Sequence, residues 1–182
     1  VTAYLDLPVG LKAKLWSHLL HNDLEQVAFV FAAIETNADA TVFTAKDHYL
    51  ATPDDFEIQS EFHVELSDEA RARIIKRAWD TGTTPIELHS HPGDHRGAMF
   101  SSSDMYGFSE FVPHCRWRLR GQPYLAIVVT PRAIDALVWV GTTGEPARLT
   151  AIRVRGGRAI FPTNRTIENI DNFKVEVPED GP

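Results

Sequence analysis

The stretch His89-Ser90-His91-Pro92-Gly93-Asp94-His95-Arg96-Gly97-Ala98-Met99-Phe100-Ser101-Ser102-Ser103-Asp104 decides how the rest of the chain is read. Pro85 to His91 has the composition of a strand, Pro92 to Phe100 that of a glycine-containing loop, and Ser102 onward that of a helix. Side chains two apart on a strand share a face, so His89 and His91 can point at one ion. Asp104, in the first turn of the following helix, can approach the same ion from a second element. Two histidines and a carboxylate form a catalytic zinc set with a fourth position left open.

A hydrolytic water at such a site needs a proton acceptor, for which two carboxylates qualify. Glu25 opens an apolar strand, an expensive place for a charge unless it has a task or a partner. Glu87 precedes His89 by two and shares the histidine face. Ser101, three before Asp104, has the spacing of a helix cap, since serine followed by an acid three later stabilises a helix start. His95 is a further candidate ligand, although a solvent-facing loop position is its ordinary role. His18, His21, His48, His63 and His114 show no partner pattern. Cys115 is read as a small buried side chain. Trp117 and Tyr124 are read as core residues, with a substrate-groove lining as the alternative.

Around this segment, Leu11 to Leu20 has helical apolar spacing. Glu25 to Glu35 and Thr41 to Ala51 read as strands joined by a turn at Asn37-Ala38-Asp39, and Pro53-Asp54-Asp55 breaks the second. Phe62 to Leu66 is a short strand. Ser67 caps a helix that runs to about Asp80 and is stopped by Thr81-Gly82. The helix from Ser102 is expected to reach about Val112 and to close at Pro113. Tyr124 to Thr130 and Ile134 to Val140 are strands, followed by a Gly141–Gly144 turn. Leu149 to Val154 and Arg158 to Phe161 suggest a hairpin across Gly156-Gly157. No linker or internal repeat divides the chain, so residues 1–162 are expected to form one domain and residues 163–182 an acidic tail. The pattern is α+β, a mixed sheet flanked by helices in three layers.

Bulk properties bound the function. The chain has 182 residues, with 43% hydrophobic and 24% charged positions, enough for one folded core and unlike disorder. Its net charge of −7 argues against nucleic-acid binding. Arg116, Arg118 and Arg120 form one basic cluster, read as a solvated helix end, with contact to an acidic partner as the sharper alternative. No apolar run is long enough for a membrane helix, and the N-terminus lacks a signal-peptide pattern. A single cysteine excludes an internal disulfide and fits a reducing, cytoplasmic setting. Oligomeric state is not encoded in any motif.

His-x-His-Pro, then Ser-x-x-Asp, with an upstream Glu heading a strand, resembles the JAB/MPN (JAMM) signature of zinc metalloproteases. The run Phe111-Val112-Pro113-His114-Cys115-Arg116-Trp117-Arg118-Leu119-Arg120-Gly121-Gln122-Pro123-Tyr124, continuing through Val129 and on to Ala136-Leu137-Val138-Trp139, resembles bacterial, deubiquitinase-like members of that family. The resemblance implies the family's α-β-α (cytidine-deaminase-like) fold. It also implies one catalytic Zn2+ on His89, His91 and Asp104, Glu25 as general base and Ser101 as a donor to the oxyanion. The activity it implies is cleavage after the C-terminal glycine of a ubiquitin-like protein, to mature or deconjugate it, in a bacterial conjugation pathway, for instance one of antiviral defence. Relatives that act on small peptides, and catalytically silent scaffolds, are the alternatives. The loop between His91 and Ser101 is two residues longer here than in the family, and the glycine often found shortly after the family's Glu is absent.

Overall fold

The computed structural model describes residues 2–142 and 144–173. Ten strands, four α-helices and two short 3-10 turns lie along them. The strands are β1 (Thr2–Leu7), β2 (Val27–Thr36), β3 (Ala40–Leu50), β4 (Phe56–Gln59), β5 (Val64–Leu66), β6 (Thr84–Ser90), β7 (Tyr124–Val129), β8 (Ile134–Trp139), β9 (Ala147–Arg148) and β10 (Ala151–Val154). The helices are α1 (Leu11–Leu19), α2 (Asp68–Thr81), α3 (Ser102–Arg118) and the single turn α4 (Arg165–Glu168). Eight strands form one mixed sheet in the order β10-β1-β3-β2-β6-β7-β8-β9, while β4 and β5 make a separate hairpin.

Period-two alternation in the central strands builds a core on each face of this sheet. Ala28, Val30, Ile86, Leu88, Leu125 and Ile127 pack with Leu11, Leu15 and Leu19 of α1 on one side. Val27, Phe29, Phe31, Ala126 and Val128 pack with Ile74, Ile75 and Ala78 of α2 and with Phe108, Val112 and Cys115 of α3 on the other. The result is α+β architecture, a mixed sheet with helices on both faces. Positions 25, 87, 89 and 91 carry the parity of the α2/α3 face.

Several expectations need correction. The helix α3 does not close at Pro113 but continues to Arg118. Pro113 lies on its exposed face, while Phe108, Val112, Cys115 and Leu119 keep the buried stripe at helical spacing. The carbonyl that loses its partner to proline therefore meets solvent, and the packing of the other face carries the helix through. Strands β1 and β4 escaped the sequence reading. β1 alternates buried Ala3, Leu5 and Leu7 with Tyr4 and Asp6, but its partners β3 and β10, both parallel, are remote in sequence. The expected hairpin near Gly156-Gly157 survives only as a bridge between Ile152 and Ile160, and β10 spends its other edge on β1.

Residues 163–173, assigned by sequence to the tail, carry α4 and dock on β8, with Thr166 fully buried. Residues 174–182 of the expected tail lie outside the described residues. Trp117 is 73% exposed rather than core, and Tyr124 is fully buried. No helix among the described residues is long and apolar enough to cross a membrane.

Candidate metal centre

Strand pairing brings His89 and His91 beside the buried Glu25. Val27 of β2 pairs with His89 of β6, which places Glu25, just before β2, level with His91, just after β6. Ser90 and Gln26 lock that junction: the Ser90 N–H donates to the Gln26 carbonyl at 3.0 Å and the Gln26 N–H donates to Ser90 Oγ at 2.9 Å. The His91 N–H donates to the Val129 carbonyl of β7 at 2.9 Å. Glu25 is held from the far side by the β4–β5 hairpin, its N–H donating to Ser60 O and its carbonyl accepting from Gln59 Nε2.

Asp104 reaches these residues from the first turn of α3. Ser101 is the N-cap: Ser101 Oγ accepts from the Asp104 N–H at 3.1 Å, and Asp104 Oδ2 accepts from the Ser101 N–H at 2.7 Å. This reciprocal capping box fixes the Asp104 rotamer. The same Oδ2 lies 3.4 Å from His89 Nε2 and 3.3 Å from His91 Nε2. One ligand atom from each of His89, His91 and Asp104 falls within 4.8 Å of the others, so the three could hold a metal ion. His91 Nε2 is also 3.5 Å from Glu25 Oε1.

Two imidazoles and a carboxylate are a donor set that fits a divalent metal ion. His89 Nε2 is buried and makes no hydrogen bond, an unusual condition for an imidazole nitrogen unless something else is meant to meet it. Carboxylates and imidazoles shift one another strongly at this junction. Burial pulls the His89 imidazole down, but Asp104, Glu87 and Glu25 outweigh it and push its pKa up to about 9. Burial works against ionisation of Asp104, yet His89 and His91 hold its carboxyl far below the usual range. Burial raises Glu25, with His91 and His89 pulling the other way.

Glu87 does not join the cluster. It sits 3.7 Å from His89 Nδ1 and accepts from the Tyr124 hydroxyl at 2.9 Å. Burial raises its pKa, partly offset by His89 and by Tyr124. His95 is exposed on the loop and stands outside the metal cluster. Phe100 closes the inner side, its ring 5.6 Å from that of His89.

The path of the long loop depends on residues the sequence reading did not single out. Its return limb is stapled to the α4 segment: Thr163 Oγ1 donates to the Ala98 carbonyl at 2.8 Å and the Phe100 N–H donates to Thr166 Oγ1 at 2.9 Å. Arg165 donates to the carbonyls of Arg96 and Gly97. The α4 segment is in turn gripped by Asp135 of β8, whose carboxylate accepts from the N–H groups of Asn164, Thr166 and Ala136 and from the Thr166 hydroxyl. A signal was present, because Asp135 interrupts an apolar strand just as Glu25 heads one, and a buried charge demands donors.

A cleft of about 320 Å³ opens beside the centre, walled by β5 on one side and by Ser103, Tyr106, Gly107 and Phe111 of α3 on the other, with His89, Asp104 and Glu87 at its inner end. Strand β5 pairs only with β4, and its second edge has no strand partner among the described residues.

No protein-family model matches the chain, and no curated protein matches it. Among solved structures it is similar to the solution structure of protein DSY2949 from Desulfitobacterium hafniense, with a TM-score of 0.50 and 16% sequence identity, over 84% of this chain and 92% of that one. At that identity the likeness speaks for the fold alone.

Proposed function

We propose that this chain is a zinc-dependent peptidase or isopeptidase of the JAB/MPN (JAMM) type that cuts after the C-terminal glycine of a ubiquitin-like protein. The observation that carries the reading is the convergence of His89, His91 and Asp104 with Glu25 3.5 Å from His91. The motif resemblance and the helix-flanked mixed sheet support it. His89, His91 and Asp104 would hold the ion, which when bound supplies Lewis acidity and acidifies water reaching its open position.

The chain's own groups do the rest. Glu25 accepts the proton of the attacking water, whose oxygen bonds to the scissile carbonyl carbon. As the carbon–nitrogen bond breaks, Glu25 returns that proton to the leaving amine. Ser101 accepts a bond from Asp104 N through its oxygen, which leaves its hydroxyl hydrogen to donate to the oxyanion. An extended glycine-ended tail would lie in the cleft beside β5, whose second edge has no strand partner among the described residues, and would be read through its backbone.

The test is cleavage of a ubiquitin-like fusion by the purified chain. Activity is expected to vanish with a strong chelator, to return with Zn2+, and to fall by at least 10²-fold in Glu25→Gln while zinc is retained. Full activity in Glu25→Gln would remove the base assignment. Failure of the folded chain to take up any divalent ion would remove the hydrolase reading.

A further inference from the structure

The cleft beside the metal centre does not end at α3. It shares Arg71, Glu110 and Phe111 with a second cavity of about 300 Å³. That cavity shares Ala72, Ile75 and His114 with a third, of about 810 Å³. Together they form one trough along the seam between α2 and α3, running from Asp104 to the C-terminal ends of both helices.

The far end has a chemistry of its own. Trp79 is 49% exposed and Trp117 is 73% exposed, unusual for side chains that usually bury most of their surface. The Arg120 guanidinium lies over the Trp79 ring at 4.5 Å, and that of Arg118 over Trp117 at 5.8 Å. Neither guanidinium meets a carboxylate or carbonyl among the described residues. Their neighbours differ: Lys76 pairs with Asp80, and Arg116 spends its donors on the carbonyls of Gln122, Gly121 and Gly141. Arg120 also adopts a left-handed φ of 56° just past the end of α3, where glycine is the usual residue, although Gly121 follows immediately. A strained arginine with free donors, stacked on an exposed tryptophan, points to a ligand.

We propose that this end of the trough is an exosite for an acidic segment of the polypeptide substrate. Carboxylates would pair with Arg118 and Arg120 while an apolar or aromatic side chain lies between the two tryptophans. The inference rests on the hydrolase reading for its link to cleavage, because the trough joins the exosite to the metal centre. Charge complementarity chooses the occupant: two guanidiniums that meet no carboxylate among the described residues suit a short acidic stretch. Tryptophan and arginine together are the residues that dominate protein–protein contacts. A long polyanion such as nucleic acid would meet the repulsion of the rest of the chain.

The experiment measures anisotropy of a fluorescein-labelled peptide of three Glu-Phe-Asp-Gly repeats against the full chain. Its Gln/Asn counterpart and a labelled twelve-nucleotide oligothymidine serve as the other probes. The acidic peptide should bind at least 10-fold more tightly than the neutral one, lose at least 10-fold in Arg118→Glu/Arg120→Glu, and bind equally in chelator. Fusing the same peptide to a cleavable substrate should lower KM with kcat unchanged, and the double variant should abolish that gain. Equal binding of the two peptides, insensitivity to the double variant, or tighter binding of oligothymidine would overturn the proposal. Loss of cleavage with peptide binding intact would count against the metal-centre reading alone. Loss of peptide binding with cleavage intact would count against the exosite alone.

Discussion

The backbone N–H of Phe100 donates to the hydroxyl oxygen of Thr166 at 2.9 Å, joining the last residue of the loop between His91 and Ser101 to the segment that follows the sheet. The same hydroxyl donates to Asp135 at 2.7 Å, so a buried relay runs from β8 through α4 to the ring that packs on His89. Thr166→Val preserves shape but leaves the Phe100 N–H without a partner and takes one donor from Asp135. That should cost about 1–3 kcal/mol of stability, the desolvation penalty of a buried orphan group. Zinc affinity should fall as well, since Phe100 supports a ligand. Thermal unfolding and a competitive zinc indicator check both. Unchanged zinc affinity in a destabilised Thr166→Val protein would limit the relay to a purely structural role.

Ser101 and Asp104 share one capping box but carry separable duties. Ser101→Ala removes the acceptor of the Asp104 N–H, a loss of about 1 kcal/mol for an N-cap. The His89, His91 and Asp104 ligand atoms survive it, so zinc binding should persist while turnover drops by about 10²–10³-fold, as for loss of an oxyanion donor. Asp104→Ala removes both the reciprocal bond to Ser101 N and the shared oxygen between the histidines. Stoichiometric zinc retention after dialysis should be lost. Equal loss of zinc in the two variants would show that the cap, not the carboxylate, organises the centre.

The centre was legible from sequence because its information is local and periodic. His89 and His91 sit two apart at the end of β6, one on the strand and one just past it, and Asp104 follows a helix cap, so their facing comes from the residues themselves. Glu25 was legible on energetic grounds only as one of two candidate carboxylates, with Glu87 the other, and the family resemblance singled it out; the structure places Glu25 beside His91 and Glu87 beside Tyr124. The Asp135–Thr166–Phe100 relay was not legible, because it joins three elements separated by tens of residues and each partner alone looks ordinary. The parallel placement of β1 between β3 and β10 is a similar case: its alternation can be read, its neighbours cannot. The α3 boundary failed for another reason, a local proline rule outweighed by the buried stripe from Phe108 to Leu119.

Gly107 sits inside α3 on the wall of the cleft, and a Cβ built there meets nothing within 4 Å. Glycine in a helix interior costs about 0.5–1 kcal/mol relative to alanine. Gly107→Ala should therefore raise the melting temperature without blocking the cleft. Gly107→Trp should fill it, leaving zinc uptake intact while raising KM for a protein substrate at least 10-fold. Cleavage kinetics beside zinc titration separate the two effects. Normal kinetics in Gly107→Trp would remove this cleft as the substrate's path.

Asp55 ties the β4–β5 hairpin to the domain and should make its attachment sensitive to acid. Its buried carboxylate accepts from the Tyr49 hydroxyl and the Thr52 N–H, both at 2.8 Å, and pairs with Arg73. Burial alone would raise its pKa, but the bonds from Thr52 and Tyr49 and the charge of Arg73 outweigh it and hold the carboxyl below its ordinary value. A carboxyl depressed in the folded state binds its proton more readily when unfolded. Its contribution is therefore complete above the unfolded value of about 4 and is lost as pH falls through the lower folded value. Asp55→Asn should cost about 1–3 kcal/mol near pH 7, where Tyr49 and Thr52 lose their charged acceptor, and less as pH drops below 4. Urea unfolding at a series of pH values measures the gap between wild type and variant. A gap that stays constant from pH 7 down to pH 3 would show that the Asp55 charge contributes nothing to holding the hairpin against the cleft.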